Sequence, residues 1–209
     1  LVLGEPQILG QLKQAYRQMY GRDLEHEVGS DVSGYFKRFL VSLITANRSE
    51  AGQPDYQRAG QLAQELYSAG EKRMGTNEMA FNRIFAAESF ATLRAVFDEY
   101  YKRTGHDIEK AVKSEMSGDV ENAFLAIMRT ARNPAQYWAK RLHDTMAGAG
   151  THDRSLVRIM VQRSEIDMQD IKQEFQRMFG KTLESFIRSD CSGDYKRGLL
   201  CLAGDSNWR

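Results

Sequence analysis

Two kinds of residue recur together in this 209-residue chain. One is a glycine-bearing loop that ends in threonine: Gly70-Glu71-Lys72-Arg73-Met74-Gly75-Thr76, and again Met146-Ala147-Gly148-Ala149-Gly150-Thr151. The other is a carboxylate forty residues after the loop's last glycine: Glu115 follows Gly75, and Asp190 follows Gly150. Glycines let a short loop turn its carbonyls toward one point, and an acid from a second loop adds charge. Such a donor set suits a hard cation like calcium, which takes about six to eight oxygens at roughly 2.3–2.6 Å. The protein oxygens are too few to fill that shell, leaving places for water or a lipid phosphate. A plainer reading stands beside this one. Glu115 and Asp190 can simply complement a helix dipole, and Gly-Thr can be a turn plus an N-cap. The paired recurrence at one spacing is what favours the metal.

The elements that must carry these loops read as helices. Only three prolines interrupt the chain, Pro6, Pro54 and Pro134, and long proline-free stretches permit continuous helix. Leu93, Val96, Phe97, Tyr100 and Thr104 fall on one helical face, as do Val120, Ala123, Phe124, Ile127 and Met128. No segment sustains the period-two alternation of a strand. The expected fold class is all-α.

A repeat orders the helices. An acid, one spacer and Ser-Gly occur at Asp31–Gly34, Glu115–Gly118 and Asp190–Gly193, spaced 84 and 75 residues apart. Gly21, Gly105 and Gly180 each stand twelve residues before the serine, with Leu24, Ile108 and Leu183 three later. Upstream, Leu9, Leu93 and Met168 align, then Leu12, Val96 and Ile171, then Tyr16, Tyr100 and Phe175. Each full unit reads as five helices, in the last one about 134–146, 152–162, 167–179, 181–188 and 193–203. Gly180 is expected to stop the third helix in a left-handed turn. Ser192 is expected to cap the fifth, with Asp194 near its positive end, and Thr151 the second, with Asp153 behind it. The nine extra residues before the second Ser-Gly block fit the polar stretch Ser49–Gln57, a linker by composition.

Composition narrows the function classes. Hydrophobic residues make up 42% and charged residues 27%, ordinary for a soluble protein that fills a core. Lys plus Arg is 29 and Asp plus Glu 28, a net charge of +1, which gives no support to nucleic-acid binding. No apolar run approaches the roughly 18 residues of a membrane span, and no signal peptide opens the chain. Cys191 and Cys201 form neither a disulfide framework nor a zinc pattern. The first residue is Leu1 and not Met, so a piece of a longer chain is the expectation.

Loop, acid and repeat together resemble the type II calcium motif of the annexins. Asp190-Cys191-Ser192-Gly193-Asp194-Tyr195-Lys196-Arg197 and Val41-Ser42-Leu43-Ile44-Thr45-Ala46-Asn47-Arg48 resemble annexin repeats as well. The resemblance implies a right-handed superhelical array of five-helix repeats. It divides the chain into a partial second repeat at 1–48, a linker at 49–55, a third repeat at 56–128, a fourth at 132–203 and a tail at 204–209. It further implies calcium loops that bridge to acidic phospholipid headgroups, especially phosphatidylserine. The implied ligands in the fourth repeat are the carbonyls of Met146, Gly148 and Gly150 with the Asp190 carboxylate. In the third they are the carbonyls of Gly70, Arg73 and Gly75 with Glu115. Accessory sites would pair the Thr76 carbonyl with Glu78 and the Thr151 carbonyl with Asp153, and Met74 would dip between headgroups. The expected protein is cytoplasmic, peripheral at membranes when calcium rises, and open to protein partners. The other expectation is a helical-repeat scaffold that binds proteins without calcium.

Some positions depart from the family pattern. Asn77 and His152 stand where Asp is usual. Glu88 and Gly4 stand where a buried Arg is common, a loss expected to loosen packing, whereas Arg163 keeps it. Asp31 has no partner loop in this sequence, and annexin fourth repeats pack against a first repeat that this sequence lacks, which would uncover apolar surface. No catalytic motif is present, so no enzyme is expected. His26, His106, His143 and His152 are scattered and read as solvated. Tyr137 and Trp138 read as packing residues. The run from Asp190 resembles an EF-hand opening but fails at Tyr195 and Cys201, and Gly148-Ala149-Gly150 is too short for a dinucleotide fingerprint.

Overall fold

The computed structural model describes residues 6–45, 48–70, 77–148 and 150–207, and among these the chain is all-helical. The helices are α1 (Pro6–Tyr20), α2 (Leu24–Asp31), α3 (Gly34–Thr45), α4 (Tyr56–Ala69), α5 (Glu78–Ala87), α6 (Phe90–Thr104), α7 (Ile108–Glu115) and α8 (Gly118–Arg132). There follow α9 (Pro134–Met146), α10 (Asp153–Arg163), α11 (Met168–Phe179), α12 (Leu183–Asp190) and α13 (Gly193–Leu202). They form two compact units, Leu1–Arg132 and Asn133–Arg209. None of the described helices is long and apolar enough to cross a membrane.

Local chemistry sets most helix ends. Asp55 accepts from the Arg58 amide at 2.9 Å, Ser89 from Thr92 at 3.0 Å, Asp107 from Glu109 at 2.8 Å and Asn133 from Gln136 at 3.0 Å. Gly105 and Gly180 close α6 and α11 at φ 76° and 69°, where a side chain would be strained. Three expected details change: Ser192 stands at the N-cap of α13 but makes no side-chain cap bond. The fourth helix of the last repeat runs from Leu183 to Asp190, not 181–188. Its start moves because Gly180 is committed to the left-handed stop, and Thr182 then caps by accepting from the Ser185 amide at 3.1 Å. Thr151 does not cap α10 either: His152 stands at that N-cap and makes no side-chain cap.

The first unit is built around stacked phenylalanines. Phe124 lies 4.1 Å from Phe39 in a stacked pair and meets Phe85 edge-on at 5.0 Å, and all three are fully buried. In the second unit Leu142, Met160, Ile171, Phe175, Leu183 and Leu200 form the core. His143 is not a solvated histidine. Its ring stacks on Phe179 at 3.9 Å and lies beside Phe175 and Phe186. It belongs to the apolar packing because α9 presents it to α11. Trp138 is partly buried against this core, under the Arg163 guanidinium at 5.6 Å.

The expected loosening at Glu88 does not occur. Its carboxylate is nearly buried, at 5% exposure, and accepts three hydrogen bonds of 2.6–3.1 Å from Arg58. Arg48 donates to the carbonyls of Glu88 and Phe85 at 2.7 and 2.6 Å and stacks over Phe90. Burial pulls the Arg48 guanidinium down to about 10, against the pull of Glu88. A buried acid is therefore paired and bonded, which is the condition for it to be tolerated. Gly4 lies outside the described residues.

Candidate functional site

In the fourth repeat the loop after α9 is pinned at both ends. The Ala147 amide bonds the His143 carbonyl at 2.9 Å, and the His152 amide returns to the Thr145 carbonyl at 2.7 Å. Between them Gly148 and Gly150 have φ of 110° and 94°. A Cβ on either would meet nothing within 4 Å, so glycine is needed for the backbone conformation rather than for room. Met146 is buried at 3% exposure as the last residue of α9, whereas both glycines are exposed. The exposed glycines thus follow directly on a packed anchor.

The acid arrives from the end of α12. Asp190 is half-buried, and its Oδ2 accepts a 2.6 Å hydrogen bond from the Thr151 hydroxyl, 39 residues earlier in the chain. This is where the Thr151 side chain is used in place of capping. Two residues on, Asp153 is exposed in the first turn of α10, and its carboxylate acts on the Tyr195 phenol of α13. Burial first, and then the Asp153 carboxylate, raise the Tyr195 hydroxyl well above its ordinary value. Burial beside Asp190 and Asp153 likewise pushes the Cys191 thiol up.

The third repeat has the same frame. α4 ends in Gly70, whose amide bonds the Leu66 carbonyl at 3.0 Å, and the Asn77 amide bonds the Ala69 carbonyl at 2.7 Å. The loop ends are again drawn together. Arg73, Met74, Gly75 and Thr76 lie outside the described residues. At the 75-residue offset Met146 is matched by Glu71, one residue after Gly70. Glu115 is exposed at the end of α7, and Glu78 opens α5 with its carbonyl accepting from the Tyr35 phenol of α3. In the incomplete repeat Asp31 is exposed at the end of α2.

Sequence reasoning missed Tyr35 and Tyr195. Tyr195 was visible only as a broken EF-hand position, although a phenol three residues after the Ser192 of a loop acid was a signal. Among the described residues no three His, Cys, Asp or Glu side chains gather as a metal cluster. Glycine-loop carbonyls plus one carboxylate would make an all-oxygen set, which fits a hard cation and not a soft one. Two concavities lie elsewhere: one of about 530 Å³ beside Arg38, Met79 and Arg83, and one of about 540 Å³ beside Asp167 and Cys201.

The chain is similar to proteins of one known family. The annexin family model matches residues 5–43, 61–127 and 137–202. Over 95% of the chain the sequence is 48% identical to annexin A4 of Mus musculus, of which it covers 62%. To annexin A11 of Homo sapiens it is 47% identical over 94% of the chain, covering 39% of that relative. The chain thus spans about two fifths to three fifths of the length of these relatives. Among solved structures, annexin III superposes with a TM-score of 0.93 at 40% identity, over 97% of this chain and 63% of that one. Calcium-bound annexin (Sm)1 superposes at 0.85 with 27% identity, over 97% of this chain and 62% of that one.

Proposed function

The chain belongs to the annexin family, and from that premise we propose that it binds acidic phospholipid membranes, phosphatidylserine surfaces above all, in a calcium-dependent and peripheral manner. Calcium-dependent phospholipid binding is the general property of the family. The observation that carries it to this chain is the 2.6 Å bond between Thr151 and Asp190, which joins the glycine loop to the distant acid. It supports one site made from both.

In this reading the carbonyls of Met146, Gly148 and Gly150 and the carboxylate of Asp190 hold calcium in the fourth repeat. Gly70, Arg73, Gly75 and Glu115 do so in the third. Thr76 with Glu78, and Thr151 with Asp153, form the weaker accessory sites. Bound calcium supplies positive charge and open coordination positions that a lipid phosphate can fill. The chain's part is positional. The pinned loop ends hold the glycine backbone beside the acid, and the acid neutralises part of the metal's charge. Met74 contributes an apolar contact between headgroups. The protein acts in the cytoplasm without enzymatic activity, moving to membranes as calcium rises, and the repeats segment the chain as 1–48, 56–128 and 132–203 with a linker at 49–55.

Co-sedimentation with phosphatidylserine vesicles tests the reading. Binding should require calcium and vanish with chelator. The double variant Glu115→Ala/Asp190→Ala should abolish it while helix content stays intact, because one carboxylate is lost from each site and avidity falls with both. Equal pelleting with calcium and with chelator would instead favour a calcium-independent scaffold for protein partners.

A further inference from the structure

The end of the fourth-repeat loop is tied to the helix that brings its acid. Thr151 donates to Asp190 at the end of α12 at 2.6 Å. The bond is not needed for the helix that follows: α10 starts at Asp153 behind an N-cap, His152, that makes no side-chain bond. It does restrict the half-buried carboxylate that ends α12. A carboxylate carries about four lone-pair sites, so one donated bond orients it and leaves the others open.

The geometry points to Thr151 as a positioning residue that holds the carboxylate of Asp190 ready beside the glycine loop before any metal arrives. This inference rests on the calcium reading above. A preorganised acid loses less freedom on binding, so the latch should lower the calcium that the fourth-repeat site needs.

The test uses the Glu115→Ala protein as parent, so that only the fourth-repeat site reports. Calcium needed for half-maximal binding to phosphatidylserine vesicles is compared in Thr151→Ala and Thr151→Ser made in that parent. Loss of a hydrogen bond to a charged group predicts a rise of about tenfold for Thr151→Ala. Parent behaviour is expected for Thr151→Ser, which keeps the hydroxyl. Metal-free protein in chelator supplies an independent readout. Amide hydrogen exchange should quicken around residues 150–155 in Thr151→Ala, with the α11 and α12 cores unchanged. An unshifted calcium requirement, or a Thr151→Ser variant as impaired as Thr151→Ala, would overturn the positioning role. A parent that ignores calcium would instead sink the functional reading. In that case exchange still decides whether the latch exists, and unchanged rates in Thr151→Ala would refute it.

Discussion

The third and fourth repeats share a frame at a fixed offset of 75 residues, yet they solve one problem with opposite charges. At the end of its second helix the fourth repeat has Arg163, bonded through two nitrogens to Asp167 at 2.8 and 2.5 Å. The third repeat has Glu88 at that position, and Thr92 where Asp167 would be. There the partner comes from the start of α4, as Arg58, where the fourth repeat has the capping Asn133. The fold requires a closed ion pair at this joint rather than an arginine as such. Either sign works if the partner is moved with it, because the cost to be offset is that of a charge removed from water.

A third member extends the comparison. Val96 and Ile171 are fully buried on α6 and α11, which pack along α4 and α9 respectively. Their counterpart Leu12 on α1 is 51% exposed, and α1 has no such companion helix among the described residues. Ile171→Ala should therefore cost about 3 kcal/mol, as core truncations do, whereas Leu12→Ala should fall within about 0.5 kcal/mol. Urea denaturation of the two variants measures both. Equal losses would break the equivalence of these three positions.

The charge inversion comes next in size. Arg58→Met leaves the Glu88 carboxylate nearly buried and unpaired. Breaking a buried pair costs about 3–5 kcal/mol, discounted here to about 2 kcal/mol because the Arg58 side chain is half exposed. Adding Glu88→Gln should recover most of the loss, and a thermal-unfolding double-mutant cycle reads the coupling. A cycle without coupling would mean that the pair is incidental.

The smallest effect concerns acid. Asp107 and Thr182 occupy the same N-cap in the two repeats. Burial alone would raise the Asp107 carboxyl, but Arg132, at 2.8 and 2.9 Å, and the Glu109 amide outweigh it and hold the carboxyl below its ordinary 3.8. A folded-state value below the unfolded one gives stability that is complete above 3.8 and lost as pH falls through the lowered value. Thr182 has nothing to titrate in this range. Asp107→Thr should flatten the acid limb of the stability curve below about pH 4, with little change at neutral pH beyond the loss of the Arg132 pair. An acid limb identical to that of the parent would assign the dependence to other carboxylates.

The repeat frame was legible because it is written locally. Gly105 and Gly180 stop their helices in left-handed turns, and the apolar spacing of Leu93, Val96 and Tyr100 puts them in the core. Where neighbouring signals compete, the reading shifted. Gly180 and Thr182 together moved the start of α12 by two residues. The loop glycines and the acids forty residues away were legible as a pair through their recurrence. What the Thr151 hydroxyl does was not, since capping and bonding Asp190 are equally available to it in sequence. His143 misled for a similar reason. Its polar neighbours Lys140, Arg141 and Asp144 suggest solvent, whereas three phenylalanines from α11 and α12 surround the ring.

By itself the sequence determined the helices, their order and the 75-residue frame, because turn glycines, caps and helical apolar spacing act within a few residues of one another. Only the tertiary structure decided who partners whom: Arg58 with Glu88, and Thr151 with Asp190. A hydroxyl or a charge has many acceptable partners along a chain. Burial and distance select one of them only after the helices have packed.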